Sequence, residues 1–402
     1  MPSPDEYCAE GKKLLATGRL DLAAKAFSDA LQADHQHLEA SLALARIAIA
    51  LRKIEQARAI VDRVIGFSST CAEAHVLRGL LREGTGDHDG ALESFAIAVG
   101  LDGGSYEARY QHGRSLAAAK RFKDAVRELN HAARLDPRAT DPHYALGIAY
   151  KQSGDHAAAV AEFAKTIEIN PAYLDGYMTL ADVLSEVERQ DGAEKVLLQA
   201  KSLFPDAGVV YDKLAAVYLK KGDLQKVVSA LREQTRIDPD NEAAYVNLAT
   251  FALAATDVET AAAAVDKLLA RDPDNWRGLH LRSMLYDMGN RADLAITDLR
   301  HAMRVAPQEW RPYNDLGTLL NAQARTNHGI AQEAVAVLES ACRLAPQGEF
   351  APRFNLALAY WNDGRPQQAR ETADALVQSG PAGNPIVEQA RQVVTAIDSH
   401  AG

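Results

Sequence analysis

The segment Gly86-Asp87-His88-Asp89-Gly90 has the residue types of a metal site, because two carboxylates and an imidazole lie within five residues. Zinc and calcium ions take four or more ligands at suitable spacing, and one short loop supplies too few. Related polar segments start at Gly18, Gly154 and Gly222. This recurrence favours a repeated exposed turn over a metal site, so we expect no bound metal.

Catalytic signatures are missing from the sequence. The twelve histidines are scattered without a His-Glu-x-x-His pattern, and there is no Gly-x-Ser-x-Gly elbow, phosphate-binding Gly-Lys-Ser/Thr loop or dinucleotide-binding glycine fingerprint. Cys8, Cys71 and Cys342 are too far apart to suggest a disulfide framework or a zinc site. We therefore predict a protein that is not an enzyme and that needs no cofactor.

The charge balance argues against two classes of partner. A formal net charge of −10 gives no general attraction to nucleic acid or to an anionic membrane. The most apolar stretch, Ser41 to Leu51, is short and contains Arg46, so no membrane insertion is expected. The first residues show neither a basic segment nor an apolar run. We expect a cytoplasmic protein, or a periplasmic one if a signal peptide has been removed.

A repeat of 34 residues governs the whole chain. Composition is 47% hydrophobic but only 6% aromatic, which is typical of helices packed through alanine and leucine. Prolines recur at this 34-residue spacing, and alanines recur at the same spacing at a different position of the repeat. The prolines are Pro137, Pro171, Pro205, Pro239, Pro273 and Pro307. The alanines are Ala23, Ala57, Ala91, Ala125, Ala159, Ala193, Ala261 and Ala295.

One repeat shows how the pattern folds. A first helix has apolar residues at helical spacing, such as Leu146 and Tyr150, and a second helix has Ala159 and Phe163. Small residues such as Gly147 let the two helices approach closely, while a large ring fills the space between repeats. Proline then ends the second helix, because it cannot continue the hydrogen-bond ladder.

Seven residues of this repeat form a recognisable set, namely Leu146, Gly147, Tyr150, Gly154, Ala159, Phe163 and Pro171. The set resembles the tetratricopeptide repeat (TPR) pattern, and such repeats cover residues 4 to about 383. The resemblance implies an all-α fold, a right-handed superhelical TPR α-solenoid of about eleven helix-turn-helix repeats. The predicted repeats start near residues 4, 38, 72, 106, 140, 174, 208, 242, 276, 310 and 350.

The ends and two of the repeats differ from the regular pattern. Residues 1–383 are predicted to form the superhelix, and residues 384–402 a capping helix and tail. Ser3, Pro4 and Glu6 predict an N-terminal helix cap. The second repeat lacks both glycines and the proline, so it is expected to be the most irregular. The tenth has about five extra residues around Arg325 to Gly329.

The resemblance also implies a binding surface. A TPR superhelix lines its concave face with the first helix of each repeat, mainly at repeat positions 2, 5, 6, 9, 12 and 13. In the late repeats the candidate peptide-binding residues are Arg277, His280, Met284, Arg311, Asn314, Asn321, Phe354, Asn355 and Trp361. Secondary candidates in the early repeats are Tyr110, Arg114, Tyr144 and Lys151.

The charge of the residue at repeat position 2 changes from negative to positive along the chain. It is acidic in the first six repeats, at Asp5, Glu39, Glu73, Glu107, Asp141 and Asp175. Acids in the first turn of a helix are favoured by the helix dipole, by about 0.3–1 kcal/mol each, so a structural role explains them. Arg277 and Arg311 occupy the same position in repeats 9 and 10, where the dipole disfavours a cation.

This change of sign suggests a hypothesis for repeats 9 to 11. Arginine suits carboxylates, and the asparagines can bond to a peptide backbone. An extended or acidic peptide is therefore expected across these repeats, with Phe354 and Trp361 as apolar anchors. The alternative is an ordinary solvated surface with intramolecular salt bridges. The chain does not assemble the residue set of the carboxylate clamp that reads chaperone C-termini in this family.

The predicted function is a non-catalytic adaptor that binds protein or peptide partners in its groove. The alternative is a regulatory or substrate-presenting part of an enzyme such as a glycosyltransferase or sulfotransferase, since TPR arrays often precede such domains. The asparagine ladder typical of glycosyltransferase arrays is sparse here, with Asn247 and Asn355 alone at position 6. The sequence leaves the partner's identity and the oligomeric state open.

Overall fold

The computed structural model describes residues 2–324, 328–381 and 383–401. Within these ranges the chain forms 23 α-helices and no strand. Residues 325–327, which belong to the insertion predicted in the tenth repeat, lie outside the described residues. The predicted all-α repeat fold is confirmed.

The chain divides into two compact units, the first being Met1–Pro205 and the second Asp206–Gly402. In the first unit, helices of 13 or 14 residues alternate as the first (helix A) and second (helix B) helix of each repeat. These are α1 Pro4–Ala16, α2 Leu20–Ala33, α3 Leu38–Ala50, α4 Ile54–Phe67, α5 Ala72–Gly84, α6 His88–Leu101, α7 Tyr106–Ala118, α8 Phe122–Leu135, α9 Thr140–Ser153, α10 His156–Ile169, α11 Leu174–Glu186 and α12 Gln190–Leu203.

The second unit continues the alternation and ends with one further helix, α23. Its helices are α13 Gly208–Lys220, α14 Leu224–Ile237, α15 Glu242–Ala254, α16 Val258–Arg271, α17 Trp276–Met288, α18 Ala292–Val305, α19 Trp310–Gln323, α20 His328–Leu344, α21 Ala351–Asn362, α22 Pro366–Ser379 and α23 Pro385–Ala401. Within each unit every helix packs on the next one along the chain, and several neighbouring A helices also touch, such as α5 with α7 and α19 with α21.

Local chemistry explains where helices begin. Ser3 and Glu6 form a capping box, in which the Glu6 amide donates to Ser3 Oγ at 3.2 Å and the Ser3 amide donates to Glu6 Oε2 at 2.7 Å. The predicted cap of α1 is therefore confirmed. Asp87, from the segment first considered as a metal loop, caps α6 by accepting a bond from the Gly90 amide at 3.0 Å. Its carboxylate thus has a structural partner.

The turn between helices A and B requires one residue in the left-handed conformation at repeat position 15. Glycine supplies it in several repeats, as at Gly154 with a φ of 85°. In the second repeat, Arg52 adopts a φ of 56° at the equivalent place. Its helices α3 and α4 have 13 and 14 residues, as in the first repeat. The expectation that this repeat would be irregular is wrong, because Arg52 adopts the left-handed backbone conformation that the turn requires.

Helices A and B meet at a small residue facing a large one. The Cβ that an alanine would add at Gly147 would lie 2.5 Å from Phe163 Cε1. Phe163 is fully buried. In the next repeat Ala181 and Leu197 occupy the same two places, so a larger residue on helix A goes with a smaller one on helix B. The size of the pair therefore sets how closely the two helices pack.

One buried ion pair joins α7 and α8. Arg109 Nη1 donates to Glu128 Oε2 at 2.5 Å, and the Glu128 side chain is only 6% exposed. Burial alone would raise the pKa of the Glu128 carboxyl, but hydrogen bonds from Arg109 and Arg127 outweigh it and hold that pKa below its ordinary value. The ionised carboxylate is the stable form in the folded chain.

Candidate functional site

Two arginines at repeat position 2 face solvent in the late repeats. Arg277 and Arg311 are the second residues of α17 and α19, and both are exposed. The Arg277 guanidinium lies 4.7 Å from the centroid of the Trp276 ring, and that of Arg311 lies 5.0 Å from the Trp310 ring. Arg311 also approaches Glu309 at 3.8 Å. Each tryptophan therefore supports its neighbouring arginine through a cation–π contact.

His280 and Met284 lie further along α17, the helix that carries Arg277. His280 Nε2 lies 2.7 Å from Asp315 Oδ2, so this contact links α17 to α19. Met284 is one turn further along α17 and is 39% exposed. The imidazole has an intramolecular partner, whereas the thioether offers apolar surface to solvent.

The predicted asparagines are bonded to one another. Asn355 Nδ2 donates to Asn314 Oδ1 at 2.9 Å and to Thr318 Oγ1 at 3.1 Å. Asn362 Nδ2 donates to Asn321 Oδ1 at 2.8 Å. These bonds connect α19 to α21 and hold their facing sides in register. A peptide backbone would have to share these amides with the chain itself.

Phe354 and Trp361 are half-buried rather than exposed. Phe354 packs against the apolar cluster formed by Ala357, Leu376 and Val387, which joins α21, α22 and α23. Trp361 packs against a second cluster that includes Tyr360. Part of each ring is thus used to hold the last helices together, so less of it is available as an anchor for a ligand.

The secondary candidates have intramolecular partners in the first unit. Tyr110 stacks on Tyr106 at 6.0 Å between ring centroids, and burial raises the pKa of the Tyr110 phenol. Arg114 lies over the Tyr110 ring and approaches Glu83 at 3.5 Å. Lys151 is paired with Glu186 at 2.8 Å. Tyr144 lies edge-on to Tyr173, and burial together with Tyr144 raises the pKa of Tyr173 to about 12.

Two of the acids at position 2, Glu39 and Glu73, form ion pairs with the preceding repeat. Lys12 pairs with Glu39, and Arg46 Nε lies 2.8 Å from Glu73 Oε1. The hydrogen bond from Lys12 holds the pKa of Glu39 below its ordinary value. Both pairs join residues 27 apart in the sequence. These two carboxylates support the stacking of helices A, a role in addition to the dipole interaction that was predicted for them.

An open apolar groove between α1 and α3 was not predicted from the sequence. Its volume is about 730 Å³, and Phe27, Leu42 and Ile47 are among the residues that line it. Its lining comes mainly from α1, α2 and α3, which belong to two neighbouring repeats, so no local sequence pattern signals it.

Two structural features are absent from the described residues. Among them, no group of three or more His, Cys, Asp or Glu side chains could hold a metal ion. No helix in the described part of the chain has the length and apolarity needed to cross a membrane.

Comparison with known proteins identifies the repeat. One sequence model of the tetratricopeptide repeat matches residues 14–81 and 218–285, and a second matches residues 110–174, which together make up half of the chain. Small glutamine-rich tetratricopeptide repeat-containing protein 2 of Mycosarcoma maydis is 30% identical over 85 residues, 21% of this chain. The match spans 24% of that relative, so this chain covers about a quarter of its length.

Solved structures similar to this chain have low sequence identity. Yeast Tom70 is 13% identical, with 99% of this chain and 96% of that chain covered and a TM-score of 0.45. The C-terminal part of a TPR repeat-containing protein from Cytophaga hutchinsonii is 17% identical, with 60% and 98% covered and a TM-score of 0.48. From the sequence matches and the repeated helix pairs, we conclude that the chain belongs to the tetratricopeptide repeat family.

Proposed function

We propose that this chain is a non-catalytic protein-interaction scaffold that binds an acidic, extended peptide of a partner along helices α17, α19 and α21. TPR proteins bind protein partners, which supports the general role. The observation that carries the finer proposal is the pair of exposed arginines, Arg277 and Arg311, at equivalent positions of adjacent A helices.

The contrast with the first repeats supports a binding role for these arginines. There, the cations Lys12 and Arg46 are neutralised by the position 2 carboxylate of the next repeat. At the corresponding places opposite Arg277 and Arg311, 27 residues earlier, the chain has Thr250 and Met284. Neither can neutralise a guanidinium, so a carboxylate of a partner can pair with Arg277 and can compete for Arg311 with Glu309, which lies 3.8 Å away.

The tryptophans explain how the arginines are tolerated and oriented. A cation in the first turn of a helix costs about 0.3–1 kcal/mol through the dipole. A cation–π contact at an exposed site returns about 0.5–1 kcal/mol. Stacking occupies the flat face of the guanidinium and leaves its N–H edge for hydrogen bonds, the geometry in which arginine binds carboxylates bidentately.

The surface around the arginines fits an extended segment. Met284 offers exposed apolar area next to the charged groups. The bonded amides of Asn314, Asn321 and Asn355 connect α19 with α21, so the helices that would contact the peptide are already held in register. A pre-organised surface loses little conformational entropy on binding.

Affinity capture from the cells that make the protein, with quantitative mass spectrometry, tests the proposal. The test variant carries Arg277→Glu and Arg311→Glu. The control variant carries Arg63→Glu and Arg134→Glu, which change net charge equally at exposed arginines of the B helices α4 and α8. We expect the test variant to lose at least one specific partner that the wild type and the control retain. Equal recovery by all three proteins would refute the assignment of the site.

A further inference from the structure

The fourth repeat has an excess of positive charge in a chain that is acidic overall. Residues 106–139 contain eight lysines and arginines and four carboxylates, whereas the whole chain contains 44 and 54. The two neighbouring repeats are acidic. Residues 72–105 have six carboxylates and residues 140–173 have four, each with two lysines or arginines. A basic repeat therefore lies between two acidic ones.

Much of this positive charge lies along one side of α8. Lys123, Arg127 and Arg134 are all exposed, and their spacing of four and seven residues places them on one face of the helix. Lys120, in the turn before α8, is also exposed. We call these four residues the basic stripe. With a rise of about 1.5 Å per residue, the part of the stripe on α8 is about 16 Å long.

Three of the four cations in the basic stripe have no carboxylate partner. Arg127 is paired, because its Nη1 lies 3.0 Å from Asp124 Oδ1 and its Nε lies 3.2 Å from Glu128 Oε1. The other cations, for which no carboxylate of the described residues lies within ion-pair distance, are Lys120, Lys123 and Arg134. These three charges are available to a ligand.

The backbone disfavours both lysines of the basic stripe. Six of the first nine repeats have a carboxylate at the second position of helix B, where the helix dipole favours an acid. They are Asp21, Glu55, Asp89, Asp191, Glu259 and Asp293. Lys123 takes this place in the fourth repeat. Lys120 adopts a left-handed φ of 59° at the turn where the first, third, fifth and seventh repeats have glycine. Helix stability therefore does not account for these lysines, whereas a role in binding does.

We infer that the basic stripe binds an acidic α-helix of a partner protein, lying along α8. Two helices side by side share the same rise per residue, so carboxylates four and seven residues apart on the partner meet Lys123, Arg127 and Arg134. In an extended strand these distances, about 6 and 10 Å, correspond to about two and three residues. A step of three residues changes the side of a strand, so one carboxylate would point away from α8.

The acidic repeats on both sides of the basic stripe argue against nucleic acids and membranes. Both present negative charge over a surface much larger than one helix. Packed helices lie about 8–10 Å apart, and charges are screened over about 8 Å at physiological salt. A polyanion on α8 would therefore also meet the carboxylates of the third and fifth repeats. A short acidic helix places its charge on the basic stripe alone.

Helical peptides with a defined charge pattern test the inference. Alanine-rich peptides of about 18 residues carry three glutamates, spaced by four and seven residues in the matched peptide and placed on three different faces in the scrambled peptide. Fluorescence anisotropy measures their affinity for the full chain at low ionic strength, where charge pairing is screened least. We expect the matched peptide to bind at least about fivefold more tightly than the scrambled one.

Two double variants locate the binding. Lys123→Glu/Arg134→Glu reverses two charges of the basic stripe, whereas Lys25→Glu/Arg63→Glu makes the same change at an exposed lysine of α2 and an exposed arginine of α4. The first should weaken binding of the matched peptide at least about tenfold, and the second should leave it within about twofold. A peptide with lysines in place of the glutamates should bind the first variant more tightly than the wild type, a gain that a misfolded protein would not show.

Three results would overturn the inference. The first is equal affinity for the matched and scrambled peptides, and the second is an equal loss of binding in both double variants. The third is binding of double-stranded DNA, or of vesicles containing phosphatidylserine, that is as strong as peptide binding and is lost in Lys123→Glu/Arg134→Glu. The basic stripe would then select any polyanion rather than an acidic helix.

This site is independent of the proposed function. Arg277→Glu/Arg311→Glu should bind the matched peptide as the wild type does. Arg63→Glu/Arg134→Glu removes one cation of the basic stripe, so in affinity capture it should recover less of a partner held by α8 while it keeps the partners of α17 and α19. The two proposals can therefore fail separately.

Discussion

The contact between Gly147 and Phe163 gives a direct test of how the repeats are packed. In Gly147→Ala the new Cβ would lie 2.5 Å from Phe163 Cε1 and 2.7 Å from Cδ1. Carbon atoms in contact prefer about 3.5–4.0 Å, so the ring must move by about 1 Å. Phe163 is fully buried in a close-packed interior, where such movement is resisted.

The magnitude follows from two opposing effects. Overpacking a well-packed core costs about 1–3 kcal/mol. Replacing glycine by alanine within a helix returns about 1 kcal/mol. We therefore expect Gly147→Ala to lower the free energy of unfolding by up to about 2 kcal/mol. Gly100→Ala is the control, since a Cβ there meets no atom within 4 Å, and it should leave stability equal or higher.

A compensating change makes the prediction specific. Phe163→Leu alone should cost about 1–2 kcal/mol through lost burial and a cavity. The double variant Gly147→Ala/Phe163→Leu reproduces the pair Ala181 and Leu197 of the next repeat, so its loss should be smaller than the sum of the single losses by about 1 kcal/mol.

Urea unfolding followed by circular dichroism measures the stability of the wild type and of the four variants. Hydrogen exchange of α9 and α10 shows whether the loss of stability is local. A Gly147→Ala variant stabilised as much as Gly100→Ala would refute the packing argument. Additive losses in the double variant would refute it equally, because no coupling would exist between the two residues.

Three further predictions concern stability. Lys120→Gly should raise the free energy of unfolding in urea by up to about 1 kcal/mol, because Lys120 has a φ of 59°, and an unchanged midpoint would contradict this. Glu128→Gln should cost about 1–3 kcal/mol at pH 7. The lowered folded-state pKa of Glu128 means that its contribution is present above the unfolded-state pKa and lost as pH falls through the folded-state pKa. The difference from the wild type should therefore shrink as pH falls below the ordinary value of 4.5, and a constant difference would contradict this. Arg277→Glu/Arg311→Glu should change unfolding by less than about 0.5 kcal/mol, because the gain at the helix dipole offsets the lost stacking, and a larger loss would show that the arginines stabilise the fold.

The fold was predictable because its signals are local and periodic. Prolines at a 34-residue spacing end helices, and alanines at the same spacing mark close contacts, so the helical repeat could be read without knowledge of distant contacts. The regular second repeat was not predicted. Other repeats have glycine at the turn between helices A and B, and Arg52 replaces it here. The backbone strain of Arg52 in the left-handed conformation is small compared with the packing energy of the helices that it connects.

The candidate surface was only partly predictable. The sequence placed Arg277 and Arg311 at position 2, but it could not show that Trp276 and Trp310 support them. The bond between Asn314 and Asn355 joins residues 41 apart, and its formation depends on how two helices face each other. The open groove lies between helices of neighbouring repeats, and no local pattern in the sequence signals such a space.

Site-specific photo-crosslinking tests the central claim, that α17 and α19 hold a partner. A photoreactive residue is placed at Met284, 39% exposed on α17, or at Leu294, 43% exposed on α18 of the same repeat. Crosslinked partner protein should be recovered from the Met284 variant, and its yield should fall when Arg277→Glu and Arg311→Glu are added. Equal crosslinking from both positions, or yield unaffected by the arginine changes, would contradict the proposed binding surface.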